Sequence, residues 1–110
     1  MGTLGEVVSE ESQCKIFSDG TKGWFLNGER HRFDGPALEW ADGTKEWWFN
    51  GKRHRTDGPA SERADGTKVW WHNGGFLGLG DKGFWALWEL LTPEERSDWK
   101  LLQWAPWVKS

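Results

Sequence analysis

The sequence predicts a mainly β fold with an α-helical C-terminus: an antiparallel β-meander of about three hairpin repeats, about six strands, capped by two short helices. Three observations predict it. The chain matches itself when shifted by 23 residues, as in Asp19-Gly20-Thr21-Lys22, Asp42-Gly43-Thr44-Lys45 and Asp65-Gly66-Thr67-Lys68. A fixed period of this size marks a stacked array. Each copy also sets Asp-Gly between two strand-like runs and adds a second turn at Asn27-Gly28, Asn50-Gly51 or Asn73-Gly74. Glycine supplies positive φ there at little cost, which makes these hairpin signals. From Phe84 the period changes, and Phe84, Leu87, Trp88 and Leu91 fall on one helical face.

The elements follow in order. Residues 1–12 show no period and read as a flexible lead-in carrying only acidic charges, Glu6, Glu10 and Glu11. The repeat region is residues 13–83, with strands expected at 13–18, 22–27, 36–41, 45–50, 59–64 and 68–72. His31-Arg32-Phe33-Asp34-Gly35-Pro36-Ala37 and His54-Arg55-Thr56-Asp57-Gly58-Pro59-Ala60 form the longer return connections. Pro36 and Pro59 belong at strand starts, where a missing N–H is tolerated. The third copy lacks His-Arg and Asp-Gly-Pro after Asn73-Gly74, as expected of a terminal repeat. A helical cap, 84–110, closes the single domain. Thr92-Pro93-Glu94-Glu95 starts its second helix. That helix is expected to reach about Trp104 and to turn Trp99, Leu102 and Leu101 inward before Pro106 stops it.

Composition narrows the function. The chain holds 14 Lys+Arg against 17 Asp+Glu, and residues 13–83 carry 11 basic and 10 acidic groups. Nucleic acid is therefore not an expected partner, because binding by counterion release needs a strongly basic surface. A local patch from Arg30, Arg32, Arg53 and Arg55 is compatible with the balance. The single cysteine, Cys14, excludes an intramolecular disulfide framework and suits a reducing compartment. It reads as a small packed strand residue. No apolar run reaches membrane-span length and no signal-peptide pattern opens the sequence. Glu6 stands where myristoylation calls for Ser or Thr. The expected location is the cytoplasm.

The pattern Asp-Gly, Asn-Gly, Asp-Gly at a 23-residue period, with aromatics before Asn-Gly, resembles the MORN repeat over residues 13–74. It is most similar to the bacterial and phage form NGxxHRxDGPA, as in Asn50-Gly51-Lys52-Arg53-His54-Arg55-Thr56-Asp57-Gly58-Pro59-Ala60. The resemblance implies an elongated antiparallel meander. It also implies a scaffold, dimerisation or interaction role, and, from the phage versions, an accessory factor that engages a host or defence protein. MORN repeats carry Tyr and Gly where this chain has Trp pairs and His-Arg, so lipid binding is not carried over.

Tryptophan supplies the candidate contact surface: 11 of 110 residues, with no tyrosine. Strand neighbours point to opposite faces, so Trp24, Trp47 and Trp70 form one column and Phe25, Trp48 and Trp71 the other. The helices can cover only one face. The remaining column is either buried by curling of the sheet and the lead-in or an exposed patch of the kind that marks a partner surface. Candidate partner-binding residues are Phe25, Trp48, Trp71, Arg32, Arg55 and Trp107, since Trp and Arg are enriched in binding hot spots. His31 with Asp34 and His54 with Asp57 read as structural, the Asp capping the Gly-Pro turn and His or Arg bridging adjacent loops. No metal, cofactor or catalytic residue is expected. There is no nucleophile–base arrangement outside the repeat, and Gly78–Gly83 lacks the GxxxxGK[ST] form. The expected function is a non-enzymatic protein-binding module. The alternative is a binder of a nucleotide-like anion, using an aromatic column with Arg32 and Arg55.

Overall fold

A computed structural model describes residues 11–108. The lead-in expected over 1–12 lies almost entirely outside that range. The described chain is mainly antiparallel β followed by short helices: β1 (Gln13–Ile16), β2 (Lys22–Leu26), β3 (Glu29–Arg30), β4 (Leu38–Glu39), β5 (Lys45–Glu46), β6 (Trp48–Phe49), β7 (Lys52–Arg53), β8 (Ser61–Glu62), β9 (Lys68–His72) and β10 (Gly75–Leu79), then α1 (Gly80–Leu90), α2 (Pro93–Arg96), α3 (Trp99–Leu102) and a 3-10 turn at Pro106–Val108. The main sheet runs β1-β2-β4-β5-β8-β9-β10, with β3 paired to β2, and β6-β7 form a separate ladder.

Each repeat therefore builds two hairpins. At Asp-Gly, Gly43 takes φ 98°, its N–H donates to the Trp40 carbonyl, and the Trp40 N–H donates to the Thr44 carbonyl. That is a type I turn closed by a left-handed glycine. At Asn-Gly, both residues have positive φ, 52° at Asn50 and 79° at Gly51, the signature of a type I′ turn whose twist suits two-residue hairpins. The sequence reading used Asn-Gly only to open a long return. The two-residue strands β3 and β7 and the five-residue β10 that follow it are corrections to the six expected.

The run expected over 45–50 also splits. Trp47 stands between β5 and β6, donating its N–H to the Ala60 carbonyl and accepting from the His54 N–H. Its backbone thus joins two hairpins instead of continuing one ladder. Trp24 makes the same two bonds, with Ala37 and His31, inside the continuous strand β2.

Copies are stitched by side chains that reach forward. The Thr21 and Thr44 hydroxyls accept from the Ala41 and Ala64 N–H groups at 3.2 and 3.0 Å. His31 Nδ1 and His54 Nδ1 accept from the Asn50 and Asn73 N–H groups at 3.0 and 2.9 Å. The histidines thereby satisfy backbone donors in the next turn, where water would otherwise have to.

The third copy ends in a strand where it lacks His-Arg and Asp-Gly-Pro: β10 pairs with β9 and shifts register between Phe76 and Gly78. Helix α1 then starts at Gly80, four residues earlier than its apolar pattern, with Asp81 in the first turn where the helix dipole favours an acid. The second expected helix breaks in two. α2 carries the capping box of Thr92 and Glu95, and Asp98 recaps α3 by accepting from the Lys100 N–H at 2.9 Å. The break changes the helical phase. Leu101 is fully buried and Leu102 partly buried as expected, but Trp99 is 68% exposed, against the inward position predicted for it.

The core lies between the last hairpin and the helices: Trp70, Phe84, Leu87, Leu91, Leu101 and Ala105. Trp70 meets Phe84 and Trp104 edge-on, at centroid distances of 5.7 and 6.3 Å. Gly83 makes this approach possible, because a Cβ there would collide with the Trp70 ring and lie 2.6 Å from the Gly78 carbonyl oxygen. The helices cover the Trp24/Trp47/Trp70 face at its third-repeat end. No described helix is long and apolar enough to cross a membrane.

Candidate binding face

The two faces use arginine differently. On the helix-side face, Arg32 stacks on Trp24 and Arg55 on Trp47, each guanidinium 3.8 Å from the ring centroid. Each then forks into its own loop. Arg55 reaches Asp57 at 2.7 Å, the Pro59 carbonyl at 3.0 Å and Glu62 at 2.9 Å. Arg32 makes the same set with Asp34, Pro36 and Glu39 at 3.3, 3.1 and 3.4 Å. Gly58 makes room for this, since a Cβ would lie 2.7 Å from Arg55 Cζ and 2.8 Å from Trp104 Nε1. Arg32 and Arg55 are thus held within their own repeats through Nε and Nη1, although they line a groove of about 630 Å³ together with Phe33, His54 and Lys100. In the third copy Gly78 stands where the arginine would be, and Phe84 and Trp104 take its place on Trp70.

His54 sits over this groove, 4.7 Å from the His72 ring. Burial, and secondarily the neighbouring His72, lowers its pKa below the ordinary imidazole value, against a smaller opposing pull from Glu95. Among the described residues, no three His, Cys, Asp or Glu groups converge on a point that could hold a metal.

The other face carries Phe25, Trp48 and Trp71, all half-buried. Arg30 and Arg53 lie over the Trp48 ring at 5.1 and 4.8 Å, and Arg53 is also 5.0 Å from Trp71. The hub beneath is Glu46. Its two carboxylate oxygens accept from the indole N–H groups of Trp48 and Trp40 at 2.8 and 3.0 Å, and Arg53 pairs with it at 3.5 Å. A buried carboxylate with three donors is satisfied and rigid. The proposed basic patch is accordingly divided, with Arg30 and Arg53 on this face and Arg32 and Arg55 on the other.

Two grooves run across this face. One, about 530 Å³, is lined by Trp40, Asp42, Glu46, Arg53, Arg63 and Trp71 among others. Its neighbour, about 390 Å³, is lined by Phe17, Thr21, Phe25, Arg30, Leu38 and Trp40 among others. At the turns beside them, the Thr21 and Thr67 N–H groups, and then their hydroxyls, hold the Asp19 and Asp65 carboxyls below the usual carboxylate value.

Trp107 is elsewhere. It packs on Phe84, Trp85 and Trp88 at the outside of the helical cap and stays half exposed. The structure thus brings Phe25, Trp48 and Trp71 together, and separates them from Arg32, Arg55 and Trp107. Cys14, expected to be packed, is exposed in β1, whose far edge has no strand partner among the described residues.

Sequence reasoning missed Glu46, Trp40 and Arg63, and named Arg53 only as part of a basic patch. The available signal was where the repeat fails: Gly23, Glu46 and Val69 share one register, and Phe17, Trp40 and Arg63 another. Comparison with protein-family models, curated proteins and solved structures finds no match to this chain.

Proposed function

We propose that this protein is a non-enzymatic protein-binding module that works through its Phe25–Trp48–Trp71 face. In this reading it is an accessory factor, of the kind phages and prophages carry, that binds and inhibits a host or defence-system protein in the bacterial cytoplasm. One observation carries the choice of face. Trp48 is held between Arg30 and Arg53, its indole fixed to Glu46, and stays partly exposed. A rigid, partly exposed Trp–Arg array gives contact area at low entropic cost, as binding hot spots do. The phage and inhibitor part rests on the likeness of the Asn-Gly-x-x-His-Arg-x-Asp-Gly-Pro-Ala motif alone.

A second reading is a small nucleotide-like anion held by an aromatic column with Arg32 and Arg55, which line the groove of about 630 Å³ with Trp47 and Lys100. One experiment separates the two. Tagged protein and a Trp48→Ala/Trp71→Ala variant are exposed to bacterial lysate, and both captured proteins and heat-released small molecules are identified. A stoichiometric partner lost in a variant that unfolds as cooperatively as the parent supports the protein-binding reading. Retention of the partner by that variant overturns the choice of face. A released nucleotide without a protein favours the second reading.

A further inference from the structure

The two grooves of the open face are one groove met twice. A shift of 23 residues carries Phe17 onto Trp40, Arg30 onto Arg53 and Leu38 onto Ser61, all of them lining residues. Trp40 is the wall between the two, with Phe17 and Arg63 as the outer walls in the same register. Phe17 and Trp40 are both about two-fifths exposed, so they stand up as ridges. Each repeat contributes two strands to the main sheet, and strands lie about 4.8 Å apart, so the grooves recur at roughly 9.5 Å.

That spacing selects a ligand conformation. A polyproline II helix rises about 3.1 Å per residue with three residues per turn, so every third side chain returns to one face after about 9.3 Å. An extended β-strand alternates instead, and residues three apart point to opposite sides. The grooves also differ in chemistry. The first, between Phe17 and Trp40 over Leu38, is mainly apolar, and its two charged lining residues, Asp19 and Arg30, balance. In the second, three carboxylates (Asp42, Glu46 and Asp65) face two guanidiniums, Arg53 and Arg63. Arg53 is paired with Glu46, and Arg63 lines the groove with Asp65. That leaves the groove one negative charge in excess, and Asp42, which accepts from the Thr44 N–H at 2.8 Å, is in no ion pair among the described residues, in a groove that Trp40 and Trp71 also line. A cation fits there, by charge and by ring attraction.

Resting on the protein-binding reading of this face, we infer that the groove takes a proline-rich segment of a partner in polyproline II conformation, seating an aliphatic side chain between Phe17 and Trp40 and a basic side chain three residues later beside Asp42. Aromatic-lined grooves suit this helix because it binds with little conformational entropy left to lose.

The test titrates the full chain with the synthetic peptide Pro-Pro-Leu-Pro-Pro-Arg-Pro-Pro, read by calorimetry and tryptophan fluorescence. Controls move Arg next to Leu, replace Arg by Glu, or replace every proline by glycine. The expected result is saturable binding that each control weakens at least about tenfold. Trp40 also supports Glu46, so Trp40→Ala can fail through folding. Arg63→Trp avoids this: it continues the ridge of Phe17 and Trp40 and removes a cation, so a peptide longer by one Leu-Pro-Pro unit should bind more tightly than to the parent. No binding, equal binding of the controls, or preference for the Glu peptide overturns the inference. If a partner is captured through Trp48 and Trp71 and these peptides do not compete with it, the inference falls and the reading of the face stands. If capture survives loss of Trp48 and Trp71, the reading falls.

Discussion

Arg55 and Arg32 form the same constellation in two environments, so the protein contains its own control for what that constellation stabilises. Both stack on tryptophan at 3.8 Å. Arg55 is 15% exposed and its partners Asp57 and Glu62 are 33% and 25% exposed, whereas Arg32 is 25% exposed and its partner Asp34 is 83% exposed. Its two ion-pair contacts are 2.7 and 2.9 Å against 3.3 and 3.4 Å. Hydrogen bonds to charged groups contribute about 1.5–3 kcal/mol when well formed, while an exposed ion pair contributes about 0.2–1 kcal/mol. The stack adds about 0.5–2 kcal/mol, more where water is excluded. Because these terms are not additive, Arg55→Ala should cost about 3 kcal/mol and Arg32→Ala about 1 kcal/mol. In melting temperature that is a drop of about 12 °C against about 4 °C for a chain of this length. Arg55→Lys should recover little, because a lysine neither forks nor lies flat on the ring. Urea unfolding of the three variants at neutral pH measures this. Equal losses at the two positions, or full rescue by lysine, would refute the reasoning from burial and distance.

Three further outcomes follow from the geometry. His54 accepts the Asn73 N–H through Nδ1 and so must be neutral in the folded state, and its pKa is lowered by burial first and His72 second. The unfolded chain then binds more protons, so stability should fall as pH drops below about 6.5 and level off below the folded-state pKa. Urea unfolding at pH 7.5 and 5.5 measures the loss, and a His54→Gln variant with the same pH dependence as the parent would refute the assignment. Gly83→Ala drives a methyl into the Trp70 ring and the Gly78 carbonyl, and should cost about 3 kcal/mol; thermal denaturation at wild-type temperature would contradict it. Cys14 is exposed and should react with a thiol reagent in the native protein as fast as in urea, whereas strong native-state protection would mean that the β1 edge is covered.

The repeat itself was legible because turns are the most local of structures. Asp-Gly and Asn-Gly need little beyond the left-handed freedom of glycine and asparagine, and each of the ten described strands flanks one of them. The hairpins after Asn-Gly were not read, although Asn27, Asn50 and Asn73 all take positive φ, because two-residue strands such as Lys52–Arg53 carry no alternation to detect. The helical face of Phe84, Leu87 and Leu91 was readable from spacing. The inward placement of Trp99 failed because Asp98 restarts the helix, and a cap inside an apolar run looks the same as a continuing helix until the backbone is seen. For the candidate site, strand parity placed Phe25, Trp48 and Trp71 on one face. It gave no hint that Glu46 organises them, since that hub joins Trp40, Trp48 and Arg53 through distances of two to seven residues across three strands. Arg32 and Arg55 were grouped with the aromatic column by residue type, and their bonds within their own loops separate them from it.

The forward-reaching bonds have a consequence for how the chain can change length. Thr21 to Ala41, His31 to Asn50, Thr44 to Ala64 and His54 to Asn73 each connect one copy only to the next, across 19 or 20 residues. Closing loops that short costs little entropy, and no bond among these depends on the total number of copies. A duplicated 23-residue unit inserted inside the array would therefore find every donor and acceptor it needs already waiting on both neighbours. The helical cap on Trp70 would be undisturbed, and energies would add unit by unit. Gene duplication can lengthen such a protein in whole turns of its own ladder, while a loss or gain of any other number of residues would leave a histidine with no turn to hold.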